Sequence, residues 1–241
     1  MKLYVVGFGA GSHGGITFDA EKAILSSDII VGYTAYTEIL EKIYPEKIYY
    51  STAMKQEKER VSYAVQQACG NKIVSIVCSG DSGVYGMACL ALEMSCGLDI
   101  DIEIVPGITA ALSGAALLGA PLTHDFAVIS LSDLLTPIEK IRKRIECAAM
   151  ADFSIVLYNP SSKKRADYLK NACNIMLKYK SSDTVCGIVR NIGREGEDSK
   201  ILSLNELKDF KADMFTTVFI GNSETKIIND RMVTPRGYKN V

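Results

Sequence analysis

The chain has only two histidines, His13 and His124, too few for a histidine-built metal site. Its seven cysteines include no C-x-x-C pair and no Cys/His cluster at zinc spacing, which excludes a zinc module. Cys78 and Cys186 fall in strand-like runs, and Cys69, Cys89, Cys147 and Cys173 in helix-like ones. The plain reading is reduced, mostly buried thiols in a cytoplasmic protein. No apolar run reaches the roughly 18–20 residues that span a bilayer, so no membrane segment is expected. The opening MKLYVVGFG lacks a signal peptide's cleavage site and reads as a first strand. Excess charge is missing too: 27 basic against 28 acidic residues leave a net charge of −1. That gives no electrostatic footprint for nucleic acid.

What is present is a globular composition, 48% apolar and 23% charged over 241 residues, enough for one large domain or two small ones. Strand and helix signals alternate through the first half. Strands are expected at 3–6, 29–31, 47–50, 72–78 and 102–105. Helices are expected at 19–26 with Thr17 as N-cap, and at 35–43, 57–69 and 85–94. This order predicts an α/β fold with a mostly parallel sheet covered on both faces. Later strands are expected at 126–130, 154–158, 184–189 and 214–220, helices at 138–149 and 163–179, a hairpin or extended arm at 195–202, and a helical turn at 205–208. A boundary near Pro121–Asp125 divides the chain into two α/β domains, 1–121 and 122–241.

The chemistry-bearing signals sit in loops. VVGFGAGSHGG holds a literal G-x-G-x-x-G at Gly9, Gly11 and Gly14. A dinucleotide site would also need an acid at the end of the second strand. Gly32-Tyr33 stands there instead, and no Gly-Lys-Ser/Thr follows to make a phosphate loop. A second glycine loop, Ser79–Gly86, lies between a strand and a helix, where open α/β sheets bind ligands. Asp81 in it serves equally as a helix cap. Pro106-Gly107-Ile108-Thr109 repeats the pattern, followed by a run of small residues from Thr109 to Ala120 that admits a close neighbour. The second half offers Tyr158-Asn159-Pro160 and Arg190–Arg194 at strand ends, with Lys163, Lys164 and Arg165 just beyond. Those three are either a solvated face or contacts to a polyanion. Arg142-Lys143-Arg144, mid-helix, reads as a solvated face.

Together SGDSGVYGMA, VPGITAALSGAALLGAPLTHDFAVISLSDLLTP, LYNP, VRNIGREGE and TTVFIGNSET resemble the tetrapyrrole methylases nearly end to end. Within these, the chain is most similar to the precorrin-3B C-17 methyltransferases, including the cobalt-dependent form. The resemblance implies two α/β domains with S-adenosylmethionine in the cleft between them. It implies methylation of a corrin precursor at C-17 with ring contraction, and a homodimer. It places the cofactor against Gly80, Asp81, Tyr85, Thr109 and Ala110 on one side, and Tyr158, Asn159, Gly187, Thr216 and Thr217 on the other. The substrate would meet Gly9, Ala10, Ser12, Ser130, Lys163, Arg190 and Arg194. Asp133, Ser132 and His124 become candidates for orienting the proton and carboxylate chemistry of contraction.

The first loop departs from the family's G-x-G-P-G-D, with Ala10 in place of Pro and Ser12 where Asp often stands. His13 is then a candidate replacement proton carrier, against a plain turn residue. No protein-bound metal is expected. Some relatives end in an iron–sulfur extension, and none is expected here past Val241. Open alternatives are methylation at another tetrapyrrole position, or of rRNA or diphthamide; a non-enzymatic nucleotide-binding module; and a dimerisation protein built on the small-residue helix.

Overall fold

A computed structural model describes residues 1–162 and 166–239. The chain falls into two compact units, Met1–Ala110 and Ala111–Val241.

The first unit carries β1 (Lys2–Gly7), α1 (Phe18–Ser26), β2 (Ile29–Tyr33), α2 (Thr34–Ile43), β3 (Ile48–Thr52), α3 (Glu57–Cys69), β4 (Ile73–Cys78), α4 (Ala88–Met94) and β5 (Asp101–Val105). All five strands are parallel, in the order β3-β2-β4-β1-β5. Side chains alternate between the faces of a strand, and both faces are apolar here. Leu3, Val5, Ile29, Val31, Val74 and Ile76 join Val61 and Ala64 of α3 and Ala91 of α4. Val6, Ile30 and Val77 join Ala20 and Ile24 of α1 and Leu40 of α2. Thr17 caps α1 as expected, its Oγ1 accepting from the Ala20 N–H at 3.2 Å. The helices after β1 and β2 thus cover one face, and those after β3 and β4 the other. Because β4 lies between β1 and β2, its loop diverges from both neighbours', which opens a crevice at the carboxyl ends of these strands.

The second unit begins with α5 (Ala110–Leu118) at the boundary. There follow β6 (Gly119–Ala120), β7 (Phe126–Ser130), α6 (Ile138–Met150), β8 (Ser154–Tyr158), α7 (Tyr168–Met176), β9 (Val185–Arg190), β10 (Asp198–Ser203), α8 (Leu204–Lys208) and β11 (Thr216–Ile220). β12 (Lys226–Ile228) and β13 (Arg231–Val233) close the unit. Its sheet runs β10-β9-β11-β8-β7; only β7 and β8 are parallel. Ile141 and Ile145 of α6, Leu169 and Met176 of α7 and Leu204 of α8 pack against Ile155, Leu157 and Val218.

The small-residue helix belongs with this second sheet, so the division precedes α5 rather than falling at 121. A Cβ on Gly114 would stand 2.8 Å from the Phe219 ring, and one on Gly187 would stand 2.4 Å from Leu118. The helix therefore rests almost directly on β9 and β11.

The hairpin or extended arm expected at 195–202 is β10, antiparallel to β9. A hairpin absent from the sequence reading, β12–β13, pairs with β6. Its turn residues Asn229 and Asp230 take φ of 48° and 60°, the two-residue turn that matches strand twist. The cysteines are not mostly buried: Cys78, Cys173 and Cys186 are, whereas Cys69, Cys89, Cys96 and Cys147 are exposed, lying at helix ends and on solvent faces. Lys163, Lys164 and Arg165, and with them the expected start of a helix at 163, lie outside the described residues.

Candidate functional site

In the first unit three backbones converge where β1, β4 and β5 end. Gly9 and Gly80 exchange both N–H···O bonds, at 3.0 and 2.7 Å, and both take positive φ, 77° and 73°. A Cβ on Gly107 would lie 2.2 Å from the Gly80 oxygen and 2.4 Å from that of Gly7. Only glycine permits so close an approach. Asp81 locks the assembly: Oδ1 accepts from the N–H of Gly83 at 2.8 Å and Val84 at 3.0 Å, and Oδ2 from Gly107 at 3.0 Å. The carboxylate thereby joins two loops that the sequence separates. The position of a Gly80 Cβ is 3.5 Å from Thr109 Cα and 3.6 Å from the Ala110 nitrogen. Gly80, Asp81, Thr109 and Ala110 are thus brought together. Tyr85 stands beyond them at φ 55°, its side chain 57% exposed.

The first loop does not open a helix. It ends in a 3₁₀ turn, His13–Gly15, and α1 starts only at Phe18. A Cβ at Gly14 would meet open space, so the third glycine of the motif is not needed for packing, and the dinucleotide reading fails. Ala10 is half-buried, and Ser12 is exposed at the turn's start. His13 Nε2 stands 3.3 Å from Glu21 Oε1 on α1, which also accepts from Tyr44 OH at 3.0 Å. These bonds, that from His13 foremost, hold the Glu21 carboxyl below its ordinary value.

In the second unit the ends of β7 and β8 form a polar cluster. Ser130 Oγ accepts from Asn159 Nδ2 at 2.9 Å and from the Ser132 N–H at 3.2 Å. Asn159 takes φ 53° to turn there, which Asn tolerates. Asp133 Oδ2 accepts from Tyr168 OH at 2.7 Å, and Tyr158 OH accepts from the Ala111 N–H at 2.7 Å. Ser130, Ser132, Asp133, Tyr158 and Asn159 are therefore neighbours. His124 is not among them. It precedes β7 whereas Ser130 closes it, and the strand between spans about 13 Å at ~3.3 Å per residue; its Nε2 lies 2.9 Å from the Pro235 oxygen.

Arg190, at the end of β9, is tied to Asp213 with Nε···Oδ2 at 2.7 Å. Asp213 also accepts from the Thr216 hydroxyl at 2.8 Å. Gly187 and Thr217 sit within the strands, and Thr216 and Thr217 are buried. Arg194 lies in the turn after Asn191. Lys163 falls outside the described residues. Sequence reasoning missed Glu21, Tyr168 and Asp213, whose partners Tyr44, Asp133 and Arg190 lie 23, 35 and 23 residues away. Among the described residues no three His, Cys, Asp or Glu side chains gather as a metal site. No helix described is long and apolar enough to cross a membrane.

A family model described as Tetrapyrrole (Corrin/Porphyrin) Methylases matches residues 2–208. The chain is 45% identical to a probable cobalt-factor III C(17)-methyltransferase of Methanocaldococcus jannaschii, over 98% of this chain and 97% of that one. It is 37% identical to a precorrin-3B C(17)-methyltransferase of Sinorhizobium sp, over 98% and 96%. A cobalt-factor III methyltransferase of Priestia megaterium is 44% identical over 99% of this chain, which spans 45% of that protein's length. Among solved structures, that of the methyltransferase CobJ superposes with a TM-score of 0.89 at 32% identity, over 97% of this chain and 99% of that one.

Proposed function

The chain belongs to the tetrapyrrole (corrin/porphyrin) methylases, and on that footing we propose that it methylates a corrin precursor at C-17 and contracts the macrocycle, in cobalamin biosynthesis. The substrate is cobalt-factor III or its metal-free counterpart precorrin-3B. The observation that carries this is the 45% identity to a probable cobalt-factor III C(17)-methyltransferase over nearly the full length of both chains.

The methyl donor is S-adenosylmethionine, which would supply the methyl of its cationic sulfonium and leave as a neutral thioether. The first unit fits such a ligand: the Gly80–Thr109–Ala110 segment presents backbone rather than bulk, and it needs no side-chain acid. Gly80, Tyr85, Thr109 and Ala110 are assigned to the amino-acid part and ribose. Asp81 acts behind them by holding its two loops in place through three backbone N–H groups. Tyr158, Asn159, Gly187, Thr216 and Thr217 are assigned to the adenine. Alignment of the two reactants is the main catalytic contribution, worth roughly 7–11 kcal/mol.

Contraction needs a proton moved and an acetate held in attack geometry. Asp133, braced by Tyr168, with Ser130 and Ser132 beside it, is assigned to that half. His13, braced by Glu21, is the second proton carrier. Gly9, Ala10, Ser12, Arg190 and Arg194 face the substrate. The working form is a cytoplasmic homodimer.

The test is anaerobic incubation of the purified protein with cobalt-factor III and S-adenosylmethionine, followed by absorbance and product mass. A gain of one methyl with the lactone spectrum is expected. Cofactor binding without turnover of either cobalt-factor III or precorrin-3B would count against C-17 and leave another tetrapyrrole position.

A further inference from the structure

Arg60 is the one buried cation of the first unit that the proposed mechanism leaves unused. It projects from α3, is 4% exposed, and lies at the carboxyl ends of β3 and β4. Its partners are all neutral. Nε donates to Thr52 Oγ1 at 2.9 Å and Nη2 to the Ala53 carbonyl at 3.1 Å. Nη1 has only the Met87 thioether, at 3.9 Å, a weak acceptor. No carboxylate among the described residues forms an ion pair with it.

No described carboxylate meets the guanidinium directly. Glu57 acts on Arg60 only through space, and its Oε1 accepts from the Lys55 N–H at 3.2 Å. Burial pushes the Cys78 thiol up to about 11, so it supplies no thiolate at neutral pH. Tyr33 and Tyr36, edge to face at 5.2 Å, are half-buried.

An arginine stays charged when buried, and a buried charge with no directly paired carboxylate costs free energy. A neutral amide could tie the Thr52–Ala53 turn without that cost. Arg190, which the sequence pattern singles out, has its charge met by Asp213; Arg60 does not.

We infer that Arg60 is a carboxylate-binding residue, and that its Nη1 face receives one acetate or propionate chain of the tetrapyrrole, which rests on the methylase reading above. A guanidinium can give a carboxylate two parallel N–H···O bonds. Met87 Sδ, 3.9 Å from Nη1, is the weak acceptor that such a carboxylate would replace.

Arg60→Gln and Arg60→Met test this by tetrapyrrole titration of absorbance, S-adenosylmethionine calorimetry and thermal unfolding. Both variants should weaken tetrapyrrole affinity about 10- to 100-fold, the loss of one charge-assisted hydrogen-bonded contact. Cofactor affinity should stay within about twofold. Arg60→Met should melt no lower than a lost neutral hydrogen bond dictates, since it also removes an unmet charge.

Unchanged tetrapyrrole affinity with a lowered melting temperature would overturn the inference and leave Arg60 as the tie of its turn. If neither variant folds, the wild-type complex decides. A substrate carboxylate oxygen within about 3.2 Å of Nη1 is expected, and all carboxylates lying elsewhere overturn it. Wild-type protein that binds the tetrapyrrole without methylating it fails the C-17 reading alone, and the affinity ratio still judges Arg60.

Discussion

Two side chains are proposed to move a proton, Asp133 and His13, and each is held by a neighbour that sequence spacing does not reveal. Asp133 takes its hydrogen bond from Tyr168, 35 residues on. A group that transfers a proton in the transition state contributes typically 10²–10⁴-fold. Asp133→Asn should therefore slow contraction by about 10²-fold or more while methylation falls less than about tenfold. Product masses and spectra separate the two, and equal losses would remove the special role. Glu21 gives a pH test. Its carboxyl lies below its ordinary value in the folded chain, chiefly through the hydrogen bond with His13 and then that with Tyr44. Such a group stabilises fully above its unfolded value, about 4.3, and the gain is lost as pH falls through the folded value. The stability advantage of wild type over Glu21→Gln in urea titrations should shrink as pH drops below about 4. A difference that grows in acid would reverse the assignment. Asp81 and Asn159 were legible as loop residues because both follow strands. Their partners were not, since Asp81 reaches Gly107 across 26 residues and Asn159 reaches Ser130 across 29.

Among the elements, glycine positions separate what the backbone requires from what a side chain can yield. At Gly107 an added Cβ meets the carbonyl oxygens of Gly80 and Gly7, at 2.2 and 2.4 Å, and backbone pinned by strands cannot retreat. At Gly187 the obstacle is the far end of Leu118, which can turn. Gly107→Ala should therefore cost more than about 3 kcal/mol and abolish cofactor binding, whereas Gly187→Ala should cost about 1–3 kcal/mol. Chemical denaturation with a cofactor titration ranks them, and the opposite order would refute the close approach at the strand ends. The parallel first sheet was readable because strands buried on both faces appear as continuous apolar runs such as Ile73–Cys78, joined by helices of clear period. The expected helix over 57–69 is α3 to the residue, and the strand over 126–130 is β7. The pairing in the second unit was not readable. β9, β11 and β8 are antiparallel neighbours, although intervening helices suggest parallel crossovers. The β12–β13 hairpin is three residues a side and carries too little periodicity to stand out.

For the whole molecule, near-neutrality limits how a polycarboxylate can be recruited. With 27 basic and 28 acidic residues, no net field draws such a substrate from beyond a Debye length, about 10 Å at 0.1 M salt. Attraction must then come from individual cations at short range. Some of those are already spent: Lys2 on Asp101 and Glu103, and Lys180 on Asp152. Steered association can exceed the unsteered rate by 10–10³-fold and falls steeply with ionic strength, so the two regimes are easily told apart. For this chain kcat/KM toward the tetrapyrrole should fall by no more than about threefold between 0.05 and 0.5 M salt. Contacts shielded from solvent are screened far less than exposed ones, and any fall should therefore appear in association before it appears in dissociation. Stopped-flow mixing over that range reads both rates. A fall of tenfold or more in the association rate would mean that exposed lysines and arginines gather the substrate collectively, and that no single buried guanidinium dominates its capture.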